Sequence, residues 1–162
     1  MRKGRTVDDH VITSRSSPHD NRKHMLSASE LEFIQHQCVA HLATADAAGR
    51  PHVVPVCFAY VDGRIYVAID EKPKRSLRVK RLRNIEENPQ VSLVFDRYDE
   101  DWSRLGWVMV SGTATIIDGG LDHELAVAAL REKYKQYRSM TLEGRPVISV
   151  PVERVSSWGD LA

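Results

Sequence analysis

The sequence predicts a mainly β, α+β domain: a six-stranded antiparallel barrel with about three flanking helices. Six segments rich in β-branched and aromatic residues are separated by turn residues or by helix-like segments. The first three follow one another closely, and the Asp62-Gly63 pair between the second and third favours a tight hairpin. The long segment 105–117 carries Gly106 and Gly112, positions at which a strand can bend from one sheet into another. Together these features are typical of an antiparallel barrel.

Each element has a local signal. Ser27 and Glu30 have the spacing of a capping box, so a first helix is expected to begin there and to run to about Gln37. A second helix is expected over 73–87, because Pro73 suits a helix start and Asn88-Pro89 ends it. A third helix is expected over 121–138. The predicted strands are 38–45, 52–60, 65–70, 90–98, 105–117 and 146–155, with Val91, Leu93 and Phe95 alternating in the fourth. Burial is expected in the third helix at Leu121, Leu125, Ala128, Leu130 and Tyr134.

Length and composition bound the organisation of the chain. The 162 residues suit one domain: residues 1–25 are polar and aperiodic and read as a flexible tail, and 26–162 form the folded domain. The net charge of +1 argues against a globally cationic nucleic-acid binder. No apolar run approaches a membrane span and no signal core is present, so a cytoplasmic protein is expected. Cys38 and Cys57 are expected to be buried reduced thiols, with a disulfide left open.

A basic run behind the third strand is the main candidate for chemistry. Seven Lys or Arg residues and no acid occur between Lys72 and Arg83. On a continuous helix, Lys74, Arg78 and Arg81 form one stripe within the face that carries the leucines. A charge run is usually a solvated surface, but a stripe of cations among leucines suits a phosphate dianion. Nucleic acid is the weaker alternative, because no stacking aromatics are interleaved with the cations.

Other residues give weaker signals. Pro55 lies inside a predicted strand, which indicates either a plain edge strand or an irregular backbone against which a ligand ring can lie. The seven histidines show no metal-ligand spacing, so no metal site is predicted. No Ser-His-Asp or Cys-His arrangement stands out, and no catalytic residue is predicted. His41 is interpreted as a packing histidine.

Several segments in order resemble a known family. They are 39–44 (VAHLAT), 49–56 (GRPHVVPV), 70–74 (DEKPK), 81–89 (RLRNIEENP), 91–98 (VSLVFDRY), Asp101-Trp102, 105–114 (LGWVMVSGTA) and 133–137 (KYKQY). The chain resembles, over about 26–158, the FMN-binding split β-barrel proteins related to pyridoxamine 5′-phosphate oxidase. Within them it is most similar to the branch that uses the deazaflavin coenzyme F420.

The resemblance implies a homodimer of split barrels with two flavin sites at the interface. It implies that the isoalloxazine ring lies along the second and third strands, and that cations around the following helix bind the phosphate. The ring-side residues carried over are Val54, Pro55, Val56, Ile69 and Asp70. The phosphate-side residues carried over are Lys72, Lys74, Arg78 and Arg81, with Asn84 nearby.

The function implied is an F420-dependent oxidoreductase that transfers a hydride between the reduced deazaflavin and a small organic acceptor. In such chemistry the cofactor reacts, and the protein supplies binding and orientation. FMN at the same site is the alternative cofactor. A non-catalytic flavin carrier and a haem-binding protein, with His41 or His52 as ligand, remain open. The C-terminal arginine set of the pyridoxamine phosphate oxidases has no counterpart beyond Arg154 and Trp158, which argues against vitamin B6 chemistry.

Overall fold

The computed structural model describes residues 25–69 and 79–162, and within them the chain forms two antiparallel sheets. The five-stranded sheet has the order β2-β1-β5-β6-β9, and the four-stranded sheet has the order β3-β4-β8-β7. The strands are β1 (Ala40–Ala45), β2 (Pro51–Val56), β3 (Ala59–Val61), β4 (Arg64–Ala68), β5 (Gln90–Arg97), β6 (Gly106–Thr113), β7 (Thr115–Ile117), β8 (Val147–Pro151) and β9 (Arg154–Gly159).

Three α-helices flank the sheets: α1 (Ala28–His36), α2 (Lys80–Glu87) and α3 (Leu121–Lys133). Two short 3-10 helices, Trp102–Arg104 and Lys135–Ser139, complete the elements of the described ranges. The capping box is present, since the Glu30 amide donates to Ser27 Oγ and the Ser27 amide donates to a Glu30 carboxylate oxygen at 2.9 Å. The mainly β class and the three helices are therefore confirmed.

The described residues form nine strands where six were predicted, because three predicted strands each pass from one sheet to the other. The chain leaves the five-stranded sheet at Cys57-Phe58 and again at Ala114, and it re-enters that sheet after Val152-Glu153. A kink is needed at each crossing, so the strand ladder is interrupted there. The predicted bend within 105–117 is confirmed. The predicted barrel is not confirmed, because the strand pairing among the described residues leaves both sheets open.

The core lies on the inner faces of the two sheets. On β5 the alternation predicted from the sequence is observed, since Val91, Leu93 and Phe95 are all buried. They pack with Leu42 of β1 and with residues of β6 and β8 in one hydrophobic cluster. A second cluster, centred on Tyr66, Leu130 and Leu142, fills the space beneath α3. The five-stranded sheet thus buries one face and leaves its other, outer face partly exposed.

The third helix differs from its prediction. It ends at Lys133, and a 3-10 helix covers residues 135–139. Its buried stripe is His123, Ala126, Val127 and Leu130, whereas Leu121 (83% exposed), Leu125 and Ala128 are exposed. The prediction was wrong for those three residues because α3 buries only a narrow stripe against β3 and β4. Leu130 is fully buried and Tyr134 is half-buried.

The second helix begins later than predicted. Val79 is its N-cap, with an extended backbone (φ −66°, ψ 149°), so the helix observed starts at Lys80 and does not continue through Val79. The predicted stripe of Lys74, Arg78 and Arg81 assumed one unbroken helix, and that assumption is wrong at Val79. Leu82 and Ile85 of this helix are buried.

The two cysteines are free thiols, so no disulfide joins them. Cys57 is half-buried, but Cys38 is exposed because β1 begins two residues later, at Ala40. The prediction of a buried thiol is therefore wrong for Cys38. Across 25–69 and 79–162, no helix combines the length and the apolarity that crossing a membrane would require.

Candidate functional site

The candidate site lies where β2 meets the N-terminus of α2. β2 is an edge strand, paired with β1 on one side only within the described residues. Pro55 sits on this strand, where the missing amide hydrogen disturbs the ladder least. An edge strand exposes backbone amide and carbonyl groups, and these are available to a ligand that lies along it.

Side chains of β2 alternate between the two faces of the sheet. His52, Val54 and Val56 lie opposite the buried residues of β1 and point to the inner face, whereas Val53 and Pro55 lie on the outer face and are exposed. The predicted ring-side residues Val54, Pro55 and Val56 are thus adjacent but do not share a face. A ring that meets all three must lie along the strand edge.

His52 lies on β2, close enough to the first turn of α2 for the charges there to act on its imidazole. Its Nδ1 atom is buried, and no described residue forms a hydrogen bond with it. Burial lowers the pKa of His52 below 6.5, and the charges of Lys80 and Arg81 lower it further. The imidazole is therefore held in its neutral form next to two cations, with one ring nitrogen left for a further contact.

The first turn of α2 favours an anion. It contains Lys80 and Arg81 and no acid, and its N-cap residue makes no side-chain hydrogen bond. The amide groups of a helix N-terminus and the helix dipole attract negative charge, and these two side chains add full positive charge. Arg81 is half-buried and Lys80 is exposed, so the first turn presents cations at different depths.

A buried hydrogen-bond chain fixes α2 on the sheet. Asn84 Nδ2 donates to Thr44 Oγ1 at 2.9 Å, and the Thr44 hydroxyl donates to the His52 carbonyl oxygen at 3.4 Å. Asn84 and Thr44 are 3% and 4% exposed. Asn84, predicted as a neighbour of the phosphate, is thus positioned as a link between α2, β1 and β2.

A polar cavity of about 200 Å³ opens beside this link. One face of α2 lines it with Lys80, Arg83, Asn84 and Glu87, and the β1–β2 turn lines it with Asp46 and Arg50. Asp46 accepts hydrogen bonds from the Arg50 amide (3.0 Å) and from Arg50 Nε (2.7 Å), and the Arg50 side-chain bond contributes most to lowering the pKa of the Asp46 carboxyl. Arg83 lines this cavity and Arg81 does not, consistent with their separation by two residues along the helix.

The remaining predicted residues divide into two groups. Ile69 follows β4, is 3% exposed and belongs to the main core, and its amide donates to the Pro146 carbonyl oxygen at 3.0 Å. Asp70, Lys72, Lys74 and Arg78 lie outside the described residues, and their assignment stays a prediction.

Sequence reasoning missed three contributors to the site. Thr44 and His52 carry no motif of their own, and their role follows from the pairing of β1 with β2 and from contact with α2. Lys80 was counted within the basic run but not assigned to the phosphate, because the helix was phased from Pro73. The break at Val79 makes Lys80 a first-turn residue.

A second feature lies on the outer face of the five-stranded sheet. His41 Nδ1 of β1 is 3.3 Å from an Asp96 carboxylate oxygen of β5, and both side chains are half exposed. Trp107 and Trp158 are paired across β6 and β9 on the same face, and Trp158 is 57% exposed. This face therefore combines a charged pair with exposed aromatic and aliphatic surface.

Comparison with solved structures places the fold among known proteins. HutZ, the haem storage protein from Vibrio cholerae, is 20% identical, with 80% of this chain and 90% of that chain covered at a TM-score of 0.62. Rv2991, a conserved hypothetical protein from Mycobacterium tuberculosis, is 19% identical, with 88% and 90% covered at 0.69. An FAD-binding protein from Mesorhizobium loti is 26% identical, with 82% and 94% covered at 0.59.

Comparison with curated proteins gave no significant match. The family model for pyridoxamine 5′-phosphate oxidase, by contrast, matches residues 27–159. That match spans every strand and every helix of the described ranges. The chain belongs to the pyridoxamine 5′-phosphate oxidase family.

Proposed function

We propose that this protein is an oxidoreductase that binds a flavin-type cofactor along β2 with the cofactor phosphate at the first turn of α2. The cofactor we expect is coenzyme F420, with FMN as the alternative. The observation that carries the proposal is the buried Nδ1 of neutral His52 beside Lys80 and Arg81, which has no hydrogen-bond partner among residues 25–69 and 79–162. A polar atom left without a partner there is costly unless a ligand supplies one.

The residues present suit the phosphate end of such a cofactor. Lys80 and Arg81 supply charge, the α2 N-terminus supplies amide donors, and Asn84 holds the helix on the sheet. The open edge of β2 supplies backbone groups for the polar side of a planar ring. When bound, the deazaflavin or flavin supplies the hydride chemistry, and the protein orients it and excludes water.

The preference for F420 over FMN rests on the sequence resemblance. Family membership and an FAD-binding protein among the similar structures support a flavin-type ligand without choosing between the two. The physiological acceptor is a small organic molecule, as the resemblance implies. The absorption spectrum of the purified protein tests this assignment, because deazaflavin, FMN and haem absorb at different wavelengths.

A homodimer is part of the proposal. The outer face of the five-stranded sheet carries Val53 (59% exposed) at one edge and Trp158 at the other, on either side of the His41–Asp96 pair. Large exposed apolar side chains on one face mark a surface suited to a partner. A second copy of the chain on this face would place the edge strand β2 at the interface.

A haem-binding protein is the second candidate. The observation in its favour is His41, a half-exposed strand histidine whose Nδ1 is 3.3 Å from the Asp96 carboxylate. A carboxylate that orients one ring nitrogen leaves the other for a metal. A haem absorption band that disappears on His41→Ala substitution would support this candidate and count against the flavin-type cofactor.

A further inference from the structure

A second cavity lies away from the α2 site, between β3, the C-terminal half of α3 and α1. It has a volume of about 290 Å³, and its lining includes Phe58, Tyr60, Val61 and Ala129 together with Glu132 and Lys133. It shares no lining residue with the polar cavity beside α2. Its walls combine aromatic and aliphatic groups with one carboxylate, Glu132, and one amine, Lys133, which belongs to the segment 133–137 that carries part of the sequence resemblance.

The amine of Lys133 is held against an aromatic wall. Lys133 Nζ lies 3.5 Å from the centroid of the Phe58 ring and 5.7 Å from that of Tyr134. Among the ion pairs of the described residues, none involves Lys133, and the neighbouring Arg131 takes Glu143 as its own partner. The amine is therefore placed in an aromatic setting, and it forms no ion pair with a described residue, including Glu132, which lines the same cavity.

Burial changes the chemistry of this amine. Burial lowers the pKa of Lys133 to about 8, and the nearby Cys38 and Cys57 thiols oppose the shift. At pH 7 roughly a tenth of such amines are neutral, against well under a thousandth for an ordinary lysine of pKa about 10.4. The neutral amine is the nucleophilic form, and desolvated lysines are the ones that attack carbonyl groups.

The cavity wall is held in place by Tyr134. Its hydroxyl oxygen accepts a hydrogen bond from the Phe58 amide at 3.0 Å and lies 3.0 Å from the carbonyl oxygens of Phe58 and Cys38, to either of which it donates. Burial raises the pKa of Tyr134 to about 12, so the hydroxyl keeps its proton. The Tyr134 hydroxyl therefore links the end of α3 to Phe58, just before β3, and to Cys38, just before β1.

We propose that this cavity is a second ligand site, in which Lys133 Nζ condenses with the carbonyl carbon of a small apolar aldehyde or ketone. The amine nitrogen adds to the carbonyl carbon to give a carbinolamine. Both amine hydrogens then leave with the carbonyl oxygen as water, and a carbon–nitrogen double bond forms. No electrons are exchanged, so no oxidant or reductant is required. Tyr60, Val61 and Ala129, which line the cavity and are partly exposed, contact the apolar body of the ligand.

The test uses the full-length protein, butanal as the probe, and cyanoborohydride to trap the imine as a secondary amine. Peptide mass spectrometry follows alkylation at Lys133 and at Lys135, an exposed lysine two residues further on. At pH 7.5 we expect Lys133 to be alkylated at least tenfold faster than Lys135. We also expect its rate to saturate with butanal concentration while the rate at Lys135 rises linearly.

Two outcomes of the rate comparison overturn the proposal, and a third comes from a variant. Equal rates at Lys133 and Lys135 would show that the amine is not activated, and a fast but linear rate at Lys133 would show that the cavity does not bind the probe. Both comparisons are made within the unmodified protein, so they do not depend on the folding of a variant. Lys133→Arg keeps a cation over Phe58. It should remove the fast, saturable alkylation and leave alkylation of Lys135 unchanged. Fast, saturable alkylation that persists in this variant would place the reactive amine elsewhere.

Discussion

Asn84 of α2 donates a buried hydrogen bond of 2.9 Å to the hydroxyl of Thr44 on β1, 40 residues earlier in the chain. The same hydroxyl donates to the carbonyl oxygen of His52 on β2. Through these two bonds the depth and rotation of α2 are fixed relative to the edge strand. The position of Lys80 and Arg81 beside His52 therefore depends on a pair of side chains that need not touch the cofactor.

The first prediction concerns this pair. Thr44→Val should lower the free energy of unfolding by about 1–3 kcal/mol, because the Asn84 amide is left buried without its acceptor. Denaturant unfolding measures the loss. Thr44→Ser keeps the hydroxyl and should retain most of the stability. A double-mutant cycle with Asn84→Leu should give a clear coupling energy, and strictly additive effects would show that the bond contributes nothing.

The second prediction concerns the cations of α2. A charge-assisted contact to a phosphate contributes roughly 1.5–3 kcal/mol, so Arg81→Ala should weaken cofactor binding on the order of tenfold or more. Arg83→Ala is the matched control, because Arg83, two residues beyond Arg81, projects from another side of α2 and should change affinity far less. Fluorescence titration gives both affinities, and melting without cofactor shows that each variant is folded. If Arg83→Ala loses more cofactor affinity than Arg81→Ala, the phosphate binds on the face of α2 that carries Arg83, and the assignment to Arg81 is wrong.

The third prediction concerns His52. Its folded-state pKa is lowered, so as pH falls through 6.5 the unfolded chain takes up the proton first, and stability is lost below pH 6.5. A phosphate bound near Lys80 and Arg81 offsets their charges and should raise the His52 pKa. Proton NMR of the imidazole, with and without cofactor, measures both values. If the His52 pKa is the same with and without cofactor, the cofactor phosphate does not bind near this histidine.

The fourth prediction concerns assembly. Light scattering should give the mass of a dimer at working concentration. Val53→Asp places a charge on the outer face of the five-stranded sheet and should shift the protein towards monomer. Leu125→Asp, on an exposed position of α3, is the control and should leave the dimer intact. A monomeric unmodified protein, or dissociation by Leu125→Asp alone, would contradict an interface on the outer face.

Local patterns explain what the sequence predicted well. The capping box at Ser27 and the alternation of Val91, Leu93 and Phe95 depend on neighbours within a few residues, and the structure shows both. The crossings between sheets were harder to predict. Cys57-Phe58 contains no Gly or Pro, and Phe58 is fully buried, so the apolar pattern runs unbroken through the kink.

The second helix shows a different limit. Leu82 and Ile85 have helical spacing, but nothing in the residue type of Val79 marks the N-cap that the structure places there. The site depends even more on distant contacts. His52 acquires its role from α2, which lies about 30 residues away in sequence, and no single-sequence pattern joins the two. The cluster of cations around α2 was predictable from the sequence, whereas the histidine near Lys80 and Arg81 was not.

The central claim is that a flavin-type cofactor binds between β2 and the first turn of α2. Fluorescence titration of the unmodified protein and of Arg81→Ala, with coenzyme F420 and with FMN, tests it most directly. We expect the unmodified protein to bind at least one of them with a Kd in the micromolar range or tighter, which is roughly −8 kcal/mol, and Arg81→Ala to bind it on the order of tenfold more weakly. No binding of either cofactor, or equal binding by Arg81→Ala, would contradict the account.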